Sequence, residues 1–374
     1  MTRFIRLSRV VSAGFAMFSM FFGAGNVVFP LVVGQVALEK TPLAILGFLL
    51  TAVCVPFMGL LAMLFFEGNY RLFFRQLGDT PGLCIAGFIM LLIGPFGALP
   101  RCIALSFSTF KSSFPDLSLF WFSLVATGLV FLSTFRKSRI VDILGALLTP
   151  FLLLNLLVIV LAGFFLHPSP SSPLSSLTHK QVFLFGLEQG YNTMDLLGSF
   201  FFSSLVCSSL KQNTSSQAIF FNHALWASVL GAVLLAFVYI GFGAIGSLHG
   251  LSSVASEELL GWIAFNTLGS YAGLVASSTV ALACLTTAIA LASAFTDFVQ
   301  VELLKEKISY STALFFTLGM SLGMSTLGFS GLGFWLGPIL EWLYPVLICL
   351  TLFTLWRCYL GAKKRSLLIQ AESI

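Results

Sequence analysis

Ten apolar stretches leave this chain few ways to fold. They occupy about residues 9–34, 43–66, 82–110, 117–135, 140–166, 181–210, 217–247, 264–296, 309–328 and 332–357. Crossing the hydrocarbon core takes roughly 20 residues of helix. Lipid offers no partner to a bare backbone N–H or C=O, so a spanning segment must satisfy its own hydrogen bonds. The expected fold class is therefore an all-α polytopic membrane protein of about ten transmembrane helices. Composition agrees: 58% of residues are hydrophobic and 9% charged, against about 25% charged in a soluble domain.

The charges orient the spans. With the N-terminus placed in the cytoplasm, the inside segments hold 15 of the 19 Lys and Arg residues, and the outside loops hold only Lys40, Lys111 and Lys180. That is a strong positive-inside bias, and it predicts two cytoplasmic termini. It also explains the net charge of +5 without a nucleic-acid partner. The basic opening Met1 to Arg6 imitates a signal peptide. The apolar run behind it is too long for a signal core, so it reads as a retained first helix.

The Pro/Ser-rich loop from His167 to Pro173 divides the spans five and five. The expected organisation is a first repeat at 1–167, an external loop at 168–180, a second repeat at 181–357 and a basic cytoplasmic tail at 358–374. An odd number of spans per half makes the second half enter from the opposite side. Related halves would then be an inverted repeat, a recurrent secondary-transporter plan with broken helices around a midplane site.

Spans one and six carry matching defects. Span one contains Gly23-Ala24-Gly25-Asn26 with Pro30 close behind. Gly costs about 1 kcal/mol and Pro about 3 kcal/mol in a helix interior. Span six, its counterpart by parity, contains Glu188-Gln189-Gly190-Tyr191-Asn192-Thr193-Met194-Asp195. A mid-span Asp costs roughly 2.5–3.5 kcal/mol on insertion scales. Broken helices expose N–H groups on one stub and C=O groups on the other. The first end attracts a carboxylate; the second suits a hard cation. A zwitterion with a coupling ion would satisfy both. Glu188 either meets a substrate ammonium or lies near the outer vestibule. Asp195 binds a cation, caps the inner stub or joins an interhelical hydrogen bond. Asn26 has that last alternative too, and the Gly23/Gly25 pair could instead serve close helix packing.

Three further features belong with these breaks. In span eight, Ala283, Thr286 and Thr287 share a helix face. A carbonyl and two hydroxyls there would form half of a sodium cage, unless the threonines merely bond their own preceding turn. In span three, Ile93-Gly94-Pro95-Phe96-Gly97-Ala98-Leu99-Pro100-Arg101 predicts a bend. There Phe96 would wall a side-chain pocket, and Arg101, about 19 residues into the span, would snorkel to the outer surface in a structural or gating role.

The remaining polar residues carry no catalytic or metal pattern. The seven cysteines form no CxxC pair and read as small buried apolar residues. The four histidines lack metal-ligand spacing. Asp142 is expected to cap span five, the run from Glu302 to Lys307 to be a solvated turn, and Lys363, Lys364 and Arg365 to anchor at headgroups. Glu341, beside Trp342 and Tyr344, has no evident role.

At these residues the chain resembles the bacterial branched-chain amino acid carriers, the leucine/isoleucine/valine cation symporters. The matching segments are Met20 to Asn26 with Phe29-Pro30, Ile93-Gly94-Pro95 with Pro100-Arg101, Leu148-Thr149-Pro150, Glu188 to Asp195, Leu282 to Ala288, and Tyr344-Pro345. The resemblance implies sodium- or proton-coupled import of leucine, isoleucine and valine across the bacterial inner membrane. It also implies the five-plus-five inverted repeat of the amino acid–polyamine–organocation superfamily. On that pattern Ala24 and Gly25 offer N–H groups to the substrate carboxylate. Carbonyls of Ser19 and Phe22 join Ala283, Thr286 and Thr287 around sodium. Members resemble twelve-span proteins, whereas ten spans are counted here.

No enzyme constellation such as HExxH or a Ser/His pair is present, and isolated defects replace the polar stripes of a channel. The expected activity is alternating-access transport, with no cofactor beyond the coupling ion. The rivals are a same-fold transporter with another amino acid or with protons, and a transport-dead receptor. Oligomeric state stays open.

Overall fold

The computed structural model describes residues 2–111, 114, 116–135, 148–165, 175–211, 217–249, 254–268 and 270–372. The Pro/Ser loop to Pro173, Asp142 and the basic cluster at 136–139 lie outside the described residues, as does the beginning expected for span five. Everything regular among the described residues is helical.

Span one is α1 (Thr2–Phe21) and α2 (Ala24–Ala37), parted at Phe22 and Gly23. Span two is α3 (Thr41–Leu49), a π-turn at Leu50–Cys54 and α4 (Val55–Leu64). A short α5 (Tyr70–Phe74) leads to span three, where α6 (Asp79–Ile93) and α7 (Ala98–Lys111) flank the expected bend at 94–97. Spans four and five are α8 (Leu119–Thr134) and α9 (Thr149–Phe165). Span six is α10 (His179–Tyr191) and α11 (Asp195–Lys211), parted at 192–194. Span seven is α12 (Gln217–Leu248). The apolar stretch expected at 264–296 is two helices, α13 (Leu259–Leu268) and span eight proper, α14 (Ser270–Phe298). Span nine is α15 (Tyr310–Ser325), and span ten is α16 (Gly328–Glu372), which carries the helix into the basic segment.

The packing has the symmetry of an inverted repeat. The most extensive interfaces join span one to span seven, span six to span two, and span three to span eight. Exchanging the halves turns the first pair into the second and maps the third onto itself. Glycines permit the close approaches. A Cβ on Gly34 would fall on the Gly243 carbonyl of span seven, and a Cβ on Gly186 on the Ala44 carbonyl of span two. Small residues let membrane helices pack backbone to backbone, where dispersion replaces the missing hydrophobic drive.

Burial of the cysteines differs from expectation. Cys102, Cys207 and Cys284 are buried, but Cys54, Cys84 and Cys349 face outward. A thiol is apolar enough to face lipid, so its presence in an apolar run does not select the interior. In the run from Glu302 to Lys307, Leu303 and Lys305 to Lys307 are exposed as expected of a solvated turn, but Glu302 is not. Glu302 is mostly buried and pairs with Arg71, while Tyr70 Oη donates to it at 3.0 Å. A second pair, Lys211 with Glu67, lies at the same end of the bundle. Because Arg71 is half exposed, Glu302→Gln is expected to cost no more than about 1 kcal/mol. The melting temperature of the purified protein should fall by only about 2 °C.

Candidate functional site

The two breaks meet. At the first, the chain leaves α1 with Gly23 N–H donating to Phe21 O at 2.8 Å. It then enters α2, whose N-terminal N–H groups belong to Ala24 and Gly25. The Asn26 side chain folds back to accept from Gly23 N at 3.4 Å. At the second, α10 ends in a turn closed by Met194 N–H to Tyr191 O at 3.1 Å. Met194 holds φ +64°, a left-handed conformation costing a non-glycine residue roughly 1–2 kcal/mol. Such strain persists where surrounding structure over-determines it, often at functional sites. A Cβ on Gly25 would lie 3.0 Å from Thr193 Cα and 3.2 Å from Asn192 O, so one break is seated on the other.

A buried hydrogen-bond cluster stitches them together. Asn26 Nδ2 donates to Asp195 Oδ2 at 2.6 Å and also contacts Tyr239 Oη. Tyr239 Oη donates to the same carboxylate oxygen at 3.4 Å. Asn26 is on span one, Asp195 begins the second stub of span six, and Tyr239 is on span seven. Asp195 thereby sits at the positive end of α11 as well as in an interhelical bond. Tyr239 gave no signal in the sequence, because it lies in an unbroken apolar helix.

Beside this cluster lies the span-eight face. Thr286 Oγ1 and Thr287 Oγ1 each reach Ser19 O at 3.1 Å, and Thr286 Oγ1 also reaches Ala283 O at 2.8 Å. Thr286 thus bonds both its own helix and the end of α1, and Thr287 bonds the end of α1. A Cβ on Gly23 would lie 2.8 Å from Thr287 Cγ2, which places this group against the first break. Two hydroxyls and two carbonyls converge here on fully or almost fully buried residues, and Phe22 is buried at the same junction. Oxygen ligands of this kind suit a hard cation.

A cavity of about 30 Å³ separates the breaks. Ala24, Gly25, Asn26, Thr193 and Asp195 reach it, with Met20, Phe21, Ile93, Phe202 and Leu291 as apolar wall. It is far smaller than the roughly 300–1,000 Å³ typical of ligand pockets, so admitting a substrate requires the breaks to move apart.

Five expected residues fall elsewhere: Phe96, Glu188, Gln189, Gly190 and Tyr191. Phe96 is half-buried and does not line the cavity; the bend at 94–97 turns it away and brings Ile93 and Ala98 to the wall. Glu188 is exposed, one turn before the break, and its carbonyl accepts from Asn192 Nδ2 at 3.5 Å. It matches the vestibule alternative and not contact with a substrate ammonium. Gln189 is half-buried outside the cavity wall, and Gly190 packs against Thr51 of span two. The Tyr191 ring packs against Tyr344 of span ten, tilted by 35° with centroids 4.8 Å apart. Tyr344 is buried, while its neighbours Glu341 and Trp342 face outward.

Arg101 is the largest correction. It is 3% exposed and reaches the cavity, far from a snorkelling position. Counting residues along one straight helix misplaced it. The break at 94–97 restarts the helix, and ten residues of α7 follow Arg101, Lys111 being the last. At about 1.5 Å per residue that is roughly 15 Å of depth.

Comparison with known proteins agrees with this architecture. The family described as "Branched-chain amino acid transport protein" matches residues 7–371. The chain is similar to a branched-chain amino acid carrier protein of Staphylococcus aureus (strain USA300), at 30% identity over 94% of this chain and 83% of the relative. It is similar to another from Staphylococcus epidermidis (strain ATCC 12228), at 29% identity with the same coverage. The crystal structure of MhsT in complex with L-phenylalanine superposes with a TM-score of 0.55 and 16% identity, covering 86% of this chain and 79% of that one. At that identity the likeness speaks for the fold alone, a five-plus-five inverted repeat with spans one and six broken. The chain is a multi-pass membrane protein belonging to the branched-chain amino acid transport family.

Proposed function

We propose that this chain imports leucine, isoleucine and valine into a bacterial cell by sodium symport through alternating access. The observation that carries the reading is the meeting of two helix breaks around buried polar groups. Asn26 and Asp195 bond at 2.6 Å, and the Ser19–Thr286–Thr287 oxygens lie beside them. The substrate carboxylate faces the N–H groups of Ala24 and Gly25 at the positive end of α2. Its ammonium faces Asp195 and the carbonyls that close α10. Sodium, the co-transported ion, takes the carbonyls of Ser19, Phe22 and Ala283 and the hydroxyls of Thr286 and Thr287. The branched side chain rests on the apolar wall. Sodium tightens the junction between α1 and span eight, so ion and substrate each favour the state in which the two breaks are held together.

In this reading the protein makes and breaks no bond in its substrate. It sits in the inner membrane with both termini cytoplasmic, and its repeats are 1–167 and 181–357. The Arg71–Glu302 and Lys211–Glu67 pairs then close the cytoplasmic side. A second reading, proton coupling, draws on one observation: the carboxylate of Asp195 is buried and bonded to the uncharged Asn26 and Tyr239, which suits a site that takes up and releases a proton.

The test is uptake of labelled leucine into proteoliposomes under an inward sodium gradient, an equal potassium gradient, or a pH gradient. Sodium is expected to stimulate uptake at least 10-fold. Thr286→Ala/Thr287→Ala is expected to remove most of that stimulation, in line with the 10–100-fold cost of disturbing a metal site. Uptake indifferent to sodium but driven by the pH gradient would transfer the coupling to Asp195. No uptake of any branched-chain amino acid by folded protein would sink the substrate assignment.

A further inference from the structure

Arg101 is a buried cation with no counter-ion among the described residues. It is 3% exposed, ten residues from the end of α7. One guanidinium N–H donates to Asn192 O at 3.1 Å and contacts the Met194 sulfur at 3.7 Å. Its Nε has no hydrogen-bond partner. Among the described residues no carboxylate lies within ion-pair distance. The rings of Phe29 and Phe329 face it at 5.2 and 4.8 Å. These contacts hold the guanidinium in place but do not neutralise it.

Such a residue is costly. Removing an ion from water costs several kcal/mol even after relaxation, and intramembrane charges are kept mainly where function uses them. Arg101 reaches the cavity between the two breaks, which Ala24 and Gly25 enter from the positive end of α2. Two sources of positive potential therefore reach that cavity. Asp195 lines it as well, tied to Asn26. The lining thus holds charge of both signs, as an α-amino acid zwitterion does.

We propose that Arg101 is the side-chain anchor for the carboxylate of the substrate. The planar guanidinium suits a carboxylate, to which it can donate in parallel. Phe29 of span one and Phe329 of span ten cover the guanidinium, so substrate binding draws those two spans over the site through Arg101. Arg101 is thus a specificity-determining residue, selecting compounds with a free carboxylate. The inference rests on the reading of the cavity as an amino acid site and does not depend on which ion is coupled.

The experiment compares leucine with leucinamide, which keeps the amine and side chain but lacks the carboxylate charge. Dissociation constants come from ligand-induced thermal stabilisation of the purified full chain, for wild type, Arg101→Gln and Arg101→Lys. Wild type is expected to prefer leucine by about 100-fold or more, the scale on which a site rejects an analogue lacking a partner for its buried polar group. Arg101→Gln should weaken leucine about 100-fold and leave leucinamide within about 3-fold, so that the preference disappears. Arg101→Lys keeps the charge, loses the fork, and should retain a preference of about 10-fold. If Gln prevents folding, as judged by size-exclusion chromatography, the Lys variant decides, and an undiminished preference there overturns the proposal.

A guanidinium that only props the Asn192 carbonyl predicts equal weakening of both ligands in Arg101→Gln, and that result overturns the proposal. So does a wild type that binds leucine and leucinamide alike. If wild type binds another amino acid instead of leucine, the same comparison is made with that acid and its amide. Loss of its preference then supports the carboxylate anchor while the branched-chain assignment falls. A wild type that binds none of the twenty standard amino acids overturns both.

Discussion

Proteoliposomes carrying Asp195→Ala are expected to take up leucine at less than about one hundredth of the wild-type rate. The carboxylate is the acceptor shared by Asn26 and Tyr239. Removing it leaves two buried donors unsatisfied, at about 1–3 kcal/mol each, and takes the negative charge from the N-terminus of α11. Asp195→Asn separates the contributions. It keeps the shape and one acceptor oxygen, so a purely structural role predicts uptake above about a third of wild type. A role for the charge, toward an ammonium or a proton, predicts a variant as inactive as Ala. Tyr239→Phe retains the Asn26–Asp195 bond and should cost only about 5–10-fold. A double-mutant cycle of Asn26→Ala with Tyr239→Phe should show coupling, because both act through one carboxylate oxygen. Wild-type uptake by folded Asp195→Ala protein would remove this cluster from the mechanism.

The second large effect concerns stability. Gly34→Leu is expected to destabilise the fold by about 3 kcal/mol or more, toward the upper end of overpacking costs. The first added carbon would fall on the Gly243 carbonyl, 2.8 Å from its carbon and 2.9 Å from Ser247 N. All three atoms are backbone, so no rotamer change relieves the clash. The affected surface is part of the most extensive interface in the molecule, between spans one and seven. The control is Gly319→Leu on span nine, where an added Cβ meets nothing within 4 Å; its effect should stay within about 0.5 kcal/mol. The measurement is the melting temperature and monodispersity of each purified variant. Equal behaviour of the two would show that helix approach at Gly34 does not limit stability.

Residues that violate the rules of a membrane helix announced their roles. Gly23, Gly25 and Asn26 in one span and Asn192, Thr193 and Asp195 in another are expensive in lipid, so their places were legible, and so was the pairing of spans one and six by parity. The span-three bend was legible for the same reason. Tyr239 was not, because a tyrosine in an unbroken apolar helix breaks no rule. Phe96 fell away from the cavity wall, and Glu188 followed the second of its two readings, because a break re-aims every side chain near it and sequence does not state the new direction.

The alternation of long apolar runs with basic loops was enough to require helices and to count them, because lipid leaves the backbone no other way to satisfy its hydrogen bonds; the odd count per half added only that related halves would be inverted. Which face of each helix turns inward was a matter for tertiary packing. Lipid and protein interior are both apolar, so a cysteine in a span is equally at home facing either, as Cys54 and Cys102 demonstrate. Packing alone brought Asn26, Asp195 and Tyr239 within bonding reach across 213 residues of chain. It also carried Arg101 from an assumed surface position to the cavity, since depth in a bent span depends on where the helix restarts and not on the residue count.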